Sequence, residues 1–208
     1  MKHPSITFQE QNYVKIENFI DKGLANHLYE YVKMNAQVSA DMVYEYGDKI
    51  WKNEPNLIGV WNDPQAPGCY SKYGDPAFDV LLKTKHKDLE SILNLKLVPT
   101  YTYHRLYVDG AELKKHKDRP SCEISYTMCL GYDANYNWPM FIEGKPIELN
   151  PGDMVVYRGC EVEHWREQFK GLNHAQVFVH YNEDDGTQPN LNDGRTHLGL
   201  PSEFKKYD

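Results

Sequence analysis

Tyr107-Val108-Asp109-Gly110-Ala111-Glu112-Leu113-Lys114-Lys115-His116-Lys117-Asp118 is the stretch whose reading decides the fold. It has an echo in Pro151-Gly152-Asp153-Met154-Val155-Val156-Tyr157-Arg158-Gly159-Cys160-Glu161-Val162-Glu163-His164. Residues two apart in a strand share a face, so His116 and Asp118 are expected to aim inward together while Lys117 points away. A third converging group must come from a distant strand. His164 is the first candidate, because it follows the β-like segment 153–157 and sits in a second expected strand. His174 and His180, near the last expected strand, stay open as alternatives, whereas His104 precedes the motif by too few residues.

Two imidazoles and one carboxylate on one face of a metal leave its other positions open, which suits non-haem Fe(II). Zinc tolerates the same donors in a hydrolytic site, but no HExxH or comparable protease motif occurs.

Outward from these stretches, the texture from residue 96 onward is of short β segments separated by turn signals. They fall at 97–108, 122–130, 140–142, 146–149, 154–157, 162–165 and 175–181. Such spacing predicts a sandwich or barrel rather than alternating strands and helices. Before it, residues 8–19 read as an opening strand. Asp21 reads as an N-cap for a helix over 22–35, and Pro76 as the first residue of a second helix over 75–93 after an Asp75 cap. Residues 40–78 carry Gly, Pro and aromatics without lasting periodicity and read as a long loop with short strands, either a lid or a packing annex. The expected class is therefore α+β. It has a jelly-roll or double-stranded β-helix (cupin-like) core over 96–182, a helical and loop-rich part over 1–95 packed on it, and a polar surface tail over 183–208, all in one domain.

Composition bounds the partners. With 30 acidic and 23 basic side chains in 208 residues, the formal net charge of -7 argues against nucleic acid. No apolar run approaches the ~20 residues that cross a bilayer, so no membrane partner is expected. Cys69, Cys122, Cys129 and Cys160 form no CxxC pair and read as reduced thiols of a cytoplasmic protein.

The stretch from Tyr107 to His164 resembles the Fe(II)/2-oxoglutarate-dependent dioxygenases, in particular the prolyl 4-hydroxylase-like branch, over about residues 97–182. The resemblance implies His116, Asp118 and His164 as iron ligands, Tyr107 as a group reaching 2-oxoglutarate, and O2 as the second co-substrate, with ascorbate an optional addition. It implies oxidative decarboxylation to succinate and CO2 coupled to hydroxylation of a C–H bond. The substrate it puts first is a prolyl residue of a peptide or protein, with the aromatics of 44–73 as a lid. A free amino acid or small metabolite, or a non-catalytic metal-binding β-barrel, are the other readings. The family usually carries an Arg or Lys nine or ten residues after the distal His, where this chain has Asn173 and His174. A protonated His174, or else Arg166, Lys170 or Arg105, is left to meet the far carboxylate. Arg119 is expected to brace the Asp118 carboxylate or to steer a substrate carboxylate. Trp138 and Trp165 are expected in packing rather than in the cleft, and Glu161, Glu163 and Glu167 on a solvated rim.

Overall fold

Local signals start and stop the helices. The computed structural model describes residues 2–47, 55–187 and 190–205. Helix α1 (Pro4–Gln11) follows a His3 cap with proline in its first turn and ends at Asn12, whose φ is 63°. The strand expected over 8–19 is therefore only β1 (Tyr13–Ile16), since Phe8 is a buried helical residue. Helix α2 spans Lys22–Tyr46, with Asp21 Oδ1 accepting from Leu24 N at 2.9 Å. It runs well past the expected end at residue 35. Its buried positions Ala36 and Ser39 are small and carry little hydrophobic signal, yet they keep the spacing of Ala25, Leu28 and Val32. A short helix α3 (Pro55–Ile58) and strand β2 (Tyr70–Tyr73) follow, then α4 (Pro76–Leu93), capped by Asp75 as expected. Trp51 of the aromatic stretch lies outside the described residues.

The remaining strands are β3 (Leu97–Val108), β4 (Leu113–His116), β5 (Ile124–Asp133), β6 (Met140–Ile142), β7 (Lys145–Ile147), β8 (Met154–Arg158), β9 (His164–Arg166) and β10 (Asn173–Glu183). They form two antiparallel sheets, one in the order β1-β8-β5-β10-β3-β2 and one in the order β4-β9-β6-β7. This is the double-stranded β-helix expected from the spacing.

Strand alternation separates two interiors. On β3, Thr102, His104 and Leu106 face α2 and α4, where Thr102 donates to Asp79 at 2.6 Å and His104 packs 4.7 Å from Phe78. Tyr101, Tyr103 and Arg105 face the other way, into the space between the sheets. There Cys129, Val155 and Tyr157 of the large sheet meet Met140 and Ile142 of the small one. All four cysteines are free, with Cys160 partly exposed and the others buried. No helix among the described residues is long and apolar enough to cross a membrane.

The surface tail expected over 183–208 is corrected. Residue 183 closes β10, and 190–205 fold back onto β3 and α4. Arg195 Nη1 lies 3.0 Å from Asp79 Oδ2, with side chains 0% and 2% exposed. The same guanidinium donates to the carbonyls of Leu200 and Thr100. The Asn, Asp and Gly residues that suggested a loose tail instead make tight left-handed turns, with φ of 54° at Asn192, 54° at Asp193 and 77° at Gly194. Arg195→Ala would leave Asp79 buried without its cation, so we expect a loss of about 3–5 kcal/mol in urea unfolding. Lys33→Ala, which removes an exposed ion pair, is expected to change stability by less than about 1 kcal/mol.

Candidate metal centre and its cavity

Strands β4 and β9 place the two histidines. They pair antiparallel with His116 opposite His164, which sets the ring centroids 4.3 Å apart. Each ring is oriented by a carbonyl two residues before it. His116 Nδ1 donates to Lys114 O at 2.7 Å and His164 Nδ1 to Val162 O at 3.1 Å. The proton on Nδ1 leaves each Nε2 lone pair free, and both aim at the same carboxylate. Asp118 Oδ1 lies 3.6 Å from His116 Nε2 and 3.4 Å from His164 Nε2. One ligand atom from each of the three residues falls within 4.8 Å of the others.

The expected strand alternation does not hold at Asp118, because β4 ends at His116. A backbone contact fixes the carboxylate instead, with Asp118 N donating to Gly159 O at 2.8 Å. Ser125 Oγ then donates to Oδ2 at 3.2 Å. Burial works to raise the Asp118 pKa, and whenever His164 Nε2 carries a proton its hydrogen bond and charge outweigh burial and hold the carboxyl below the usual range. His116 is held below the usual imidazole range by burial first and by His164 second. With their protons on Nδ1, two imidazoles and a carboxylate fit a divalent cation, whose remaining positions would face the cavity.

That cavity has a volume of about 380 Å³. Beyond the three donors it is lined on the β3 side by Tyr101, Tyr103 and Arg105 and on the loop before β2 by Asp63 and Gln65, while Lys117 and Arg119 flank Asp118. Sequence reading missed Asp63, since only the fold brings it to Arg105 some forty residues away. It accepts from Arg105 Nη2 and from Tyr103 OH. Burial would raise its pKa, and the Arg105 charge brings it below the usual range.

The other expected residues are distributed as follows. Tyr107 is buried and accepts from Arg105 Nη1 at 3.1 Å. Arg166, two residues past His164, lies opposite Leu113, which lines the cavity. Its guanidinium is 2% exposed, donates to Trp138 O at 2.7 Å, and forms no ion pair among the described residues. Reorienting the Gln176 amide gives it a further acceptor at 2.8 Å, while Nε has no partner.

His174 is buried with both ring nitrogens unpartnered. Burial, and then the Arg166 charge, hold its pKa well below normal, so the protonated His174 expected as an anchor is corrected to a neutral ring. Lys170 is exposed. His180 lines the cavity but is tied to Ser125 at 2.8 Å outside the donor cluster, and His104 faces the helices. Arg119 does not brace Asp118 either. It lies over the Tyr101 ring, 4.7 Å from its centroid, and pairs with Asp193 at 3.2 Å. Trp138 is packed against Phe169, and Trp165 stacks on Phe141.

No protein-family model and no curated protein matches the sequence. Solved structures do match in fold. A prolyl-4-hydroxylase from Pseudomonas putida aligns with a TM-score of 0.62 at 14% identity, over 86% of this chain and 96% of that one. HygX from Streptomyces hygroscopicus, solved with nickel and 2-oxoglutarate, gives 0.60 at 10% identity over 98% and 99%. SnoK, a non-haem α-ketoglutarate-dependent carbocyclase from nogalamycin biosynthesis, gives 0.62 at 12% identity over 97% and 92%.

A Cβ on Gly159 would come within 2.5 Å of Asp118 Oδ2 and closer still to the Cys122 carbonyl. Gly159→Ala is therefore expected to displace the carboxylate and weaken Co(II) binding at least about tenfold in an absorbance titration, with far-UV circular dichroism unchanged. Ser125→Ala, which removes only the supporting hydroxyl, is expected to weaken it less.

Proposed function

We propose that the protein is an Fe(II)- and 2-oxoglutarate-dependent oxygenase that hydroxylates a C–H bond of a small substrate, with succinate and CO2 as co-products. The observation that carries this reading is the donor set of His116, Asp118 and His164. Both Nε2 atoms are preset by backbone carbonyls, at the wall of a cavity, in a fold shared with solved 2-oxoglutarate oxygenases. Iron with 2-oxoglutarate and O2 supplies an oxidant able to attack an unactivated C–H bond, so no protein base is required for that step. The chain's own residues hold the metal and the co-substrate and shield them from water.

Arg166 is the group we assign to the far carboxylate of 2-oxoglutarate. A buried guanidinium without a counter-ion is costly, and an incoming carboxylate would neutralise it. Arg105 is less suited because Asp63 already neutralises it. Tyr107 is hydrogen-bonded to Arg105 and packs edge-on against Trp138, whose ring the Arg166 guanidinium covers.

The aromatic lid over a prolyl peptide gains no support from the described aromatics nearest the cavity, while Tyr44 and Tyr46 stand exposed at the end of α2. Trp61 donates to Ser39 at 3.1 Å, Tyr70 is fully buried, and Tyr73 donates to Asp193. These aromatics are packing, and none of them lines the cavity. We place a small metabolite first and a prolyl peptide second; among structures of the same fold, HygX has been solved with hygromycin B bound and a prolyl hydroxylase with a peptide fragment.

Anaerobic addition of Fe(II) and then 2-oxoglutarate is expected to produce a visible metal-to-ligand charge-transfer band that His164→Ala abolishes. Arg166→Gln is expected to keep the iron and weaken 2-oxoglutarate about thirtyfold or more, the equivalent of about 2 kcal/mol. Absence of the band in wild type would leave the non-catalytic barrel as the reading.

A further inference from the structure

The cavity's charges do not cancel at its mouth. Five charged side chains line it besides the three histidines: Asp63, Arg105, Lys117, Asp118 and Arg119. Asp63 and Arg105 neutralise each other, and Asp118 belongs to the donor set. Lys117 and Arg119 remain, one on each side of Asp118. Lys117 is exposed and forms no ion pair among the described residues. Arg119 has one carboxylate partner, Asp193, which stands behind it and does not line the cavity. That carboxylate is shared with Lys205 at 2.6 Å and with the Tyr73 hydroxyl at 2.7 Å. On a chain whose formal net charge is -7, a cationic rim beside the donor set is a local inversion of sign.

Arg119 is also held in place. Its Nε lies 3.4 Å from Tyr101 OH and its guanidinium covers the Tyr101 ring, which stacks on Tyr73 with centroids 5.0 Å apart. Asp193 fixes Nη2 from the far side. Nη1 has no acceptor among the described residues, and the side chain is 51% exposed. A guanidinium fixed on three sides, with one edge left open beside a reaction chamber, is prepared to take an oxyanion with little further ordering.

We infer that the mouth of the cavity is a recognition subsite for an anionic group on the primary substrate, a carboxylate or a phosphate, gripped by Arg119 and assisted by Lys117. The inference rests on reading the cavity as the substrate chamber. A cationic substrate would be met by a free carboxylate in the lining, and none is there among the described residues. The segment over 190–205 thereby becomes part of the specificity apparatus, because Asp193 sets the direction of Arg119.

Ligand-observed NMR on the full-length chain, with and without Zn(II), tests the subsite without requiring turnover. The probes are N-acetylglycine for the carboxylate arm and glycerol 3-phosphate for the phosphate arm. N-acetylglycinamide and glycerol serve as their neutral counterparts. One charged probe is expected to bind and its neutral counterpart not, and the stronger charged probe identifies the anion. Arg119→Gln is expected to weaken that binding about tenfold or more and Lys117→Gln about two- to threefold, while Arg166→Gln leaves it in place. The proposal is overturned if neither charged probe binds, if neutral probes bind equally, or if binding survives Arg119→Gln but disappears in Arg166→Gln. Failure of the oxygenase reading shows separately, as a missing iron charge-transfer band in a protein that still binds the anion.

Discussion

The antiparallel pairing of β4 with β9 is the contact on which the rest of the site depends. It sets His116 opposite His164 in the small sheet. Strand register has a period of two, so a slip of one residue would turn His164 outward and bring Trp165 or Glu163 to the inner face. The register is reinforced on the other side, where β6 pairs with β9 and places Ile142 opposite His164. A three-residue strand buried between two neighbours thus carries one donor and, two residues on, the buried arginine.

Charge pairing organises the surroundings of that centre. Asp63 with Arg105 ties the loop before β2 to the inner face of β3. Asp79 with Arg195 ties the C-terminal segment to the outer face, and Asp193 gathers Arg119, Lys205 and Tyr73 at the rim. These pairs link segments far apart in sequence, and removing one partner would strand a desolvated charge. They also leave a remainder. Arg166 and Lys117 have no carboxylate partner among the described residues, and Arg119 shares its single one, Asp193, with Lys205. Arg166 is buried two residues past His164 and does not line the cavity, whereas Arg119 and Lys117 line it beside Asp118.

Much of this was legible in the chain itself. Asp21 and Asp75 announce their helices through their caps, Pro76 marks a first turn, and the β segments after residue 96 appear close to their expected positions. The convergence of His116, Asp118 and His164 was legible as well, although for Asp118 the reason differs. Its direction comes from the Gly159 carbonyl and Ser125 rather than from strand alternation. The extension of α2 beyond residue 35 was missed because small residues, not large apolar ones, face its core side. The C-terminal segment was misread because Asn, Asp and Gly serve tight left-handed turns as readily as loose chain.

The sequence by itself determined the fold class, which is written in local periods of two for strands and three to four for helices, and it put His164 ahead of His174 and His180 as the partner of His116 and Asp118. What only the tertiary structure decided is the charge balance around the donors. Which arginine is neutralised and which is left bare depends on pairs such as Asp63 with Arg105 and Asp193 with Arg119, separated by 42 and 74 residues. No local pattern encodes such a pair, since each exists only where the sheets and the returning C-terminal segment bring two charges out of water together.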